Sequence, residues 1–231
     1  LAEIPAFDAA TGTLWVAGVS GVDVLNAATG SLVQHIDTTS FGSINSVSIH
    51  NGLAAFAMES SVDRTLPGQV VLFDTASRSL ASGVNQITVG ALPDMLTFTA
   101  DGSKLLVANE ATPTIYGGFD PAGSVSIIDM NTRTATTVGF AGVPTAGTAI
   151  RLPGMDYEPE YIAINAAGTQ AFVTLQEANA IGIMDLGTQQ FTSVVGLGTK
   201  DFSLPGNGID PSHKDYVSGS SGPTLVELRS A

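Results

Sequence analysis

The sequence predicts an all-β chain, specifically a β-propeller of four-stranded antiparallel blades. Three observations carry this. A four-line pattern recurs four times, short apolar runs alternate with turn residues, and no stretch keeps apolar residues at i, i+3, i+4 and i+7 as an amphipathic helix must. Units of about 40–50 residues made of four strands mark propeller blades, one unit per blade.

The first strand of each unit reads Glu3-Ile-Pro-Ala-Phe7, Asn45-Ser-Val-Ser-Ile49, Asp94-Met-Leu-Thr-Phe98 and Glu160-Tyr-Ile-Ala-Ile164. A tight turn follows, then a second strand: Leu14-Trp-Val-Ala17, Ala54-Ala-Phe-Ala57, Leu105-Leu-Val-Ala108 and Ala171-Phe-Val-Thr174. Third strands end on a polar residue, at Asn26, Asp74, Asp129 and Asp185. Weaker fourth strands include Ala135-Thr-Thr-Val-Gly139 and Phe191-Thr-Ser-Val-Val195. The blades are expected at about 2–40, 44–91, 93–141 and 159–198, within a domain of 1–215. Residues 199–231 read as a long loop and the start of a further blade, so four blades are expected to belong to a larger propeller of about seven.

Turn chemistry supports the hairpins. Gly12, Asn51-Gly52, Asp101-Gly102 and Ala167-Gly168 place a glycine where positive φ is needed, and Asn-Gly and Asp-Gly are strong hairpin signals. The Asn or Asp that ends each third strand can accept backbone N–H bonds from the turn it opens, a structural role rather than a catalytic one. The units differ most between second and third strands, at 18–21, 60–68 and 111–123. Another long insert, 142–158, reads as a loop joining the third and fourth units. Connections this long are usually functional or disordered.

In a propeller the first strand lines the central channel. Loops before strand one and between strands two and three then share a face, and the long inserts all fall on it. That face also collects carboxylates. Glu3, Asn45, Asp94 and Glu160 occupy one position of the repeat, each four residues before the apolar end of its strand. Second strands run into Glu59, Glu110 and Glu177, the last displaced by one residue so that Gln176 is an alternative counterpart. Glu3, Asp94, Glu110, Glu160 and Glu177 are therefore candidate oxygen ligands for a hard cation such as Ca²⁺. The alternative is that each acid accepts backbone N–H bonds where neighbouring blades meet.

Composition limits the partners. The 21 acidic residues against 8 basic give a formal charge of −13 over 231 residues, a field that repels nucleic acid and anionic lipid. There is no cysteine for a disulfide or thiolate metal site, and no apolar run of 18 residues to span a membrane. His35, His50 and His213 lack metal-ligand spacing, and no Gly-x-Ser-x-Gly, His-Glu-x-x-His or P-loop occurs. The catalytic residues of any enzyme are thus unassigned, and no organic cofactor is indicated.

Val89-Gly-Ala-Leu-Pro-Asp-Met-Leu-Thr-Phe-Thr-Ala-Asp-Gly102, Leu106-Val-Ala-Asn-Glu110, Gly123-Ser-Val-Ser-Ile-Ile-Asp129, Glu158-Pro-Glu-Tyr-Ile-Ala163, Val173-Thr-Leu-Gln-Glu177 and Gly206-Asn-Gly-Ile-Asp210 resemble the choice-of-anchor I propeller family over about residues 2–215. The resemblance implies an extracellular or surface-anchored bacterial protein with further blades of the same propeller. It also implies kinship with proteins labelled atypical alkaline phosphatases and with the mesenchyme-specific cell-surface glycoprotein type. Where the family continues Gly-Glu-Pro, this chain has Ala111-Thr112-Pro113, one acid fewer. Three functions follow as expectations: a secreted binding or scaffold module with a cation site, a metal-dependent phosphomonoesterase, or a metal-free module docking protein or glycan. Clustered exposed aromatics at Tyr116, Phe119 and Tyr157 would favour the third.

Overall fold

The computed structural model describes residues 2–115, 117–151, 157–202, 204–205 and 207, with the side chains of residues 2 and 3 outside that set. The described residues contain strands and turns and no helix. The chain divides into two units, Leu1–Leu197 and Gly198–Ala231. In the second, the described residues form turns closed by Leu204 N–H to Asp201 O and Asn207 N–H to Leu204 O.

Among the described residues, the first unit is built from four sheets. The first comprises β1 (Ala2–Asp8), β2 (Thr13–Gly18), β3 (Gly21–Asn26) and β4 (Leu32–Asp37), in that order. The second has β5 (Ile44–His50), β6 (Leu53–Met58), β7 (Pro67–Asp74) and a fourth position split between β8 (Ser79–Leu80) and β9 (Gln86–Ala91), both paired to β7. The third is β10 (Pro93–Phe98), β11 (Lys104–Asn109), β12 (Ser124–Asp129) and β13 (Thr134–Val138). The fourth runs β15 (Pro159–Ile164), β16 (Gln170–Leu175), β17 (Ala180–Asp185) and β18 (Gln190–Leu197), with β14 (Thr145–Thr148) outside β18. All pairings are antiparallel except β14 on β18.

β14 corrects the reading of 142–158 as a plain loop. Val194 N–H donates to Pro144 O, and Thr145 to Thr148 run parallel to Val194 to Leu197. Two glycines allow the approach. A Cβ on Gly147 would strike Gly196 O, and one on Gly196 would strike Thr148 O.

Inner strands lie side by side, β1 against β5, β5 against β10 and β10 against β15. Together they line an open groove of about 220 Å³ that includes Pro5, Phe7, Val47, Ile49, Leu96 and Tyr161. Between consecutive sheets lie three apolar cores. Trp15, Ala17, Val22 and Val24 of the first sheet meet Val47, Ala54, Phe56 and Phe73 of the second. Ala55, Ala57, Val70 and Leu72 meet Leu96, Leu105, Val107 and Ile128. Leu106, Ala108, Val125 and Ile127 meet Ile162, Ala171, Val173 and Met184.

A positional rule underlies these cores. In the four-residue runs of the second strands, positions one and three pack toward the preceding sheet and positions two and four toward the following one. Third strands do the reverse, because side chains alternate along a strand and antiparallel neighbours share a face. Strands buried on both sides must be apolar throughout, which is why β6 reads Leu-Ala-Ala-Phe-Ala-Met and β11 is buried from Leu105 to Asn109.

The turns after the third strands of the first three sheets close alike. Gly30, Arg78 and Arg133 N–H groups close onto Asn26, Asp74 and Asp129 O at 2.8, 2.8 and 2.7 Å. Side-chain oxygens of the opening residue accept turn N–H groups, as Asp74 does from Ser77 and Asp185 from Thr188, both at 2.7 Å. The fifth turn residue takes positive φ: 71° at Gly30, 53° at Arg78, 55° at Arg133 and 56° at Gln189. Arg78 Nε then reaches back to Gln34 Oε1 at 2.9 Å, and Arg133 reaches back to Ser82 O and Val84 O, tying outer edges of neighbouring sheets.

Candidate functional site

The predicted carboxylate position coincides with a β-bulge in every sheet. Register breaks between Ala2 and Pro5, Ile44 and Ser46, Pro93 and Met95, and Pro159 and Ile162. Glu3, Asn45, Asp94 and Glu160 each lie within the break. A bulge leaves a residue unpaired in the ladder and re-aims its side chain, and bulges concentrate at rims and next to sites. Spacing alone could not reveal this, since a bulge is a property of pairing and not of one strand.

The second sheet shows what the position does structurally. Asn45 Nδ2 donates to Glu59 Oε1 and to Pro93 O of the next sheet, both at 3.1 Å. Arg64 lies 3.6 Å from the same Glu59 oxygen. Glu59 N–H donates to Ser43 O at 2.8 Å, and Glu110 N–H donates to Leu92 O at 2.9 Å in the matching place. Glu59 is therefore a structural anchor, neutralised by Arg64.

In the fourth sheet Glu160 meets like charges instead. Pro93 pairs with Asn109 and Pro159 with Leu175, so Glu110 matches Glu59 while Gln176, not Glu177, is the register counterpart. Glu160 is half-buried between the two. Burial raises its pKa above the usual carboxylate value, and the charges of Glu177 and Glu110 raise it further. Glu110 accepts the Thr112 hydroxyl. Thus Glu110 and Glu177 each lie within electrostatic range of Glu160, and Asp94 sits in the bulge of the third sheet. The Glu3 side chain lies outside the described residues. Among the described residues no three His, Asp or Glu side chains come close enough to form a ready-made metal-ligand group.

The inserts after β6 and β11 meet. Thr114 Oγ1, in the insert after β11, donates to Asp63 Oδ1, in the insert after β6, at 2.9 Å. Ile115 and Phe119 on the same insert are 74% and 73% exposed. Tyr157 is not part of an aromatic patch. It is 3% exposed and packs edge-on to Phe140 with centroids 5.2 Å apart. Its place before a strand that faces the third sheet draws the ring into the core. Tyr116 and His213 lie outside the described residues. The His50 ring stacks at a tilt on Phe98, 5.6 Å away. A buried residue that spacing did not flag is Asn109, whose amide donates to Ser124 and Ser126 hydroxyls at 3.1 and 2.9 Å and fixes the end of β11 just before Glu110.

Repeated four-stranded sheets, stacked face to face with their first strands around one groove, define a propeller-like all-β protein. The chain belongs to the choice-of-anchor I domain family, whose model matches residues 3–221. No curated protein matches. Among solved structures it is similar to Kuenenia stuttgartiensis hydrazine synthase, with a TM-score of 0.60 and 17% identity over 79% of this chain. It is also similar to a Bacteroides caccae protein of unknown function, with a TM-score of 0.55 and 13% identity over 85% of this chain. At such identities the likeness concerns fold alone. The chain spans 53% and 61% of those two structures' chains. No helix among the described residues is long and apolar enough to cross a membrane.

Proposed function

We propose that the chain is part of an exported, surface-displayed propeller of about seven blades that acts as a binding or scaffold module. Its working surface is the rim where the bulges and long inserts gather. Membership of a family whose domains typically occur in exported bacterial proteins supports the location. The observation that carries the rim assignment is Glu160, a half-buried carboxylate held between the charges of Glu110 and Glu177. Such a group gains from a bound cation. Glu110, Glu160 and Glu177, with Asp94 and Glu3 as further oxygen donors, would hold a hard ion such as Ca²⁺ after side-chain adjustment. Their role is ligation, not proton transfer.

The exposed Ile115 and Phe119 favour a second reading, in which the same rim docks a protein or glycan without metal. A phosphomonoesterase is less well supported. It needs converging ligands for metal ions, commonly two ions about 3.5–4 Å apart, and the described residues offer no such group. Immunolabelling of intact producing cells tests the surface assignment. Label on unpermeabilised cells or in the medium is the expected result; label only after permeabilisation would remove the surface role.

A further inference from the structure

At the end of the strands opposite the bulges, a side chain fills one junction between sheets and leaves the next open. The third and fourth sheets turn from first to second strand in the same way. Thr99 N–H donates to Lys104 O and Asn165 N–H to Gln170 O, while the Gly102 and Gly168 N–H groups donate to Thr99 O and Asn165 O. Gly102 and Gly168 are thus equivalent, with φ of 69° and 67°. The residue after the apolar end of the preceding sheet's first strand decides what lies over each. For Gly102 it is His50, which follows Ile49. A Cβ on Gly102 would strike the imidazole, which also stacks on Phe98. For Gly168 it is Thr99, which follows Phe98 and is too short to cross. The Thr99 hydroxyl turns back into its own hairpin, donating to Asp101 Oδ1 at 2.6 Å. Beyond its chain neighbours, no atom lies within 4 Å of a Cβ placed on Gly168. The result is an open cleft of about 400 Å³ between the third and fourth sheets. Small-molecule sites span about 300–1,000 Å³.

The walls set the chemistry of an occupant. Lys104 supplies an ammonium donor, Asp101 and Asp185 supply carboxylates, and Ala100 and Ala167 supply aliphatic surface. Every hydrogen bond to the two acids falls on Oδ1, from Thr99 and Ser103 at Asp101 and from Thr188 at Asp185. Each Oδ2 is left to accept from something else. The same turn bonds hold both carboxyls below their usual pKa, so at neutral pH they are ionised and only accept. An occupant must therefore donate to carboxylates, accept from an ammonium and lay carbon against alanine. Two negative charges against one positive, with Asp129 in range of Lys104 as a third, disfavour a phosphate or carboxylate. A purely apolar occupant would strip water from these charges and leave them unpaired. Neighbouring hydroxyls on a ring of C–H groups meet all the demands, since a hydroxyl both donates and accepts.

We propose that this cleft binds a neutral pyranose unit, with Lys104, Asp101 and Asp185 reaching its hydroxyls and Thr99 keeping the space clear. The site lies at the far end of the strands from the acidic rim and does not depend on it. Saturation-transfer NMR observed on the ligand is the test. The probes are the methyl α-pyranosides of glucose, mannose and galactose, beside glucose 6-phosphate and glucosamine. The expected result is transfer to at least one neutral glycoside, saturating at millimolar concentration, and weaker transfer to the phosphate. Thr99→His should fill the cleft as His50 fills the place over Gly102, and abolish transfer. Lys104→Met, a second variant that keeps the volume, should weaken binding about 10-fold or more, because it removes a charged hydrogen-bond donor. No transfer to any neutral glycoside, or undiminished transfer in both variants, would overturn the proposal. Transfer to glucosamine alone would overturn the neutral ligand and assign the cleft to an ammonium group.

Discussion

At the scale of single residues, the acids divide into two kinds with opposite pH behaviour. Asp101 accepts the Thr99 hydroxyl at 2.6 Å and the Ser103 N–H and hydroxyl at 3.0 and 2.9 Å, which lowers its pKa from 3.8 to about 2. Asp74, Asp129 and Asp185 are lowered for the same reason, by the turn N–H groups they accept. A depressed folded pKa gives stability that is fully present above the unfolded value of 3.8 and is lost as pH falls through the folded one. Acid unfolding should therefore steepen between pH 3.8 and about 2, and Asp101→Ala should lower the melting temperature much more at pH 7 than at pH 2. An unchanged difference at both pH values would refute the turn-cap account. Glu160 runs the other way. Its folded pKa lies above 4.5, so its contribution favours folding below that value and is lost as pH rises through the raised one. In EDTA, Glu160→Gln should melt higher than wild type at pH 7 and equally at pH 3. A lower melting temperature at pH 7 would mean that Glu160 already has a compensating partner.

At the scale of strands and sheets, packing and close backbone approach set the costs. Trp15 is fully buried, bonds Thr13 Oγ1 through its indole N–H at 2.9 Å and lies 6.1 Å from the Phe56 ring, which itself stacks on Phe73. Trp15→Ala should cost about 3–5 kcal/mol, read as a shift in the denaturant midpoint at constant slope. A cost below about 1 kcal/mol would show that the first sheet does not fold with the second. Gly196→Val should detach β14, because a Cβ there would meet Thr148 O. Hydrogen exchange at Val194 and Leu197 is the readout: Val194, bonded to Pro144, should lose protection, while Leu197, bonded to Asn179, keeps it.

The same scale explains what the sequence made legible. Hairpin turns and paired strands follow from period-two apolar patterning and Asx chemistry, which are local. Gly12, Gly52, Gly102 and Gly168 do take positive φ, at 65°, 80°, 69° and 67°. β14 was invisible because Thr145-Ala-Gly-Thr148 is exposed throughout, carries no alternation and pairs with a strand almost 50 residues away. The bulges were invisible because register belongs to two strands at once. Equal spacing in the sequence placed the acids at one position of the repeat, but their convergence depends on where each bulge aims the side chain. Glu59 is an anchor because the Asn45 amide and Arg64 meet it, whereas burial and the neighbouring Glu177 and Glu110 raise the pKa of Glu160.

On the scale of the whole molecule, the first unit is a series of like interfaces rather than one central core. Each sheet contributes a forward and a backward face, inner strands share a groove, and arginines of the outer turns tie neighbours at the edge. Stability in such an array is the sum of sheet terms and interface terms, so an uncovered terminal face weakens the adjoining sheet first. The acidic balance of 21 acidic against 8 basic residues adds a diffuse repulsion, which a cation held at the proposed rim site would relieve. Scanning calorimetry of the protein in EDTA and then in excess Ca²⁺, wild type beside Glu160→Gln, tests this most directly. An ion that binds only the folded form raises the melting temperature by an amount set by its affinity and concentration. The expected result is a rise of several degrees in wild type on adding Ca²⁺, and little or none in Glu160→Gln. Equal shifts in the two proteins, or none in either, would contradict the cation-binding rim and leave its acids as packing anchors.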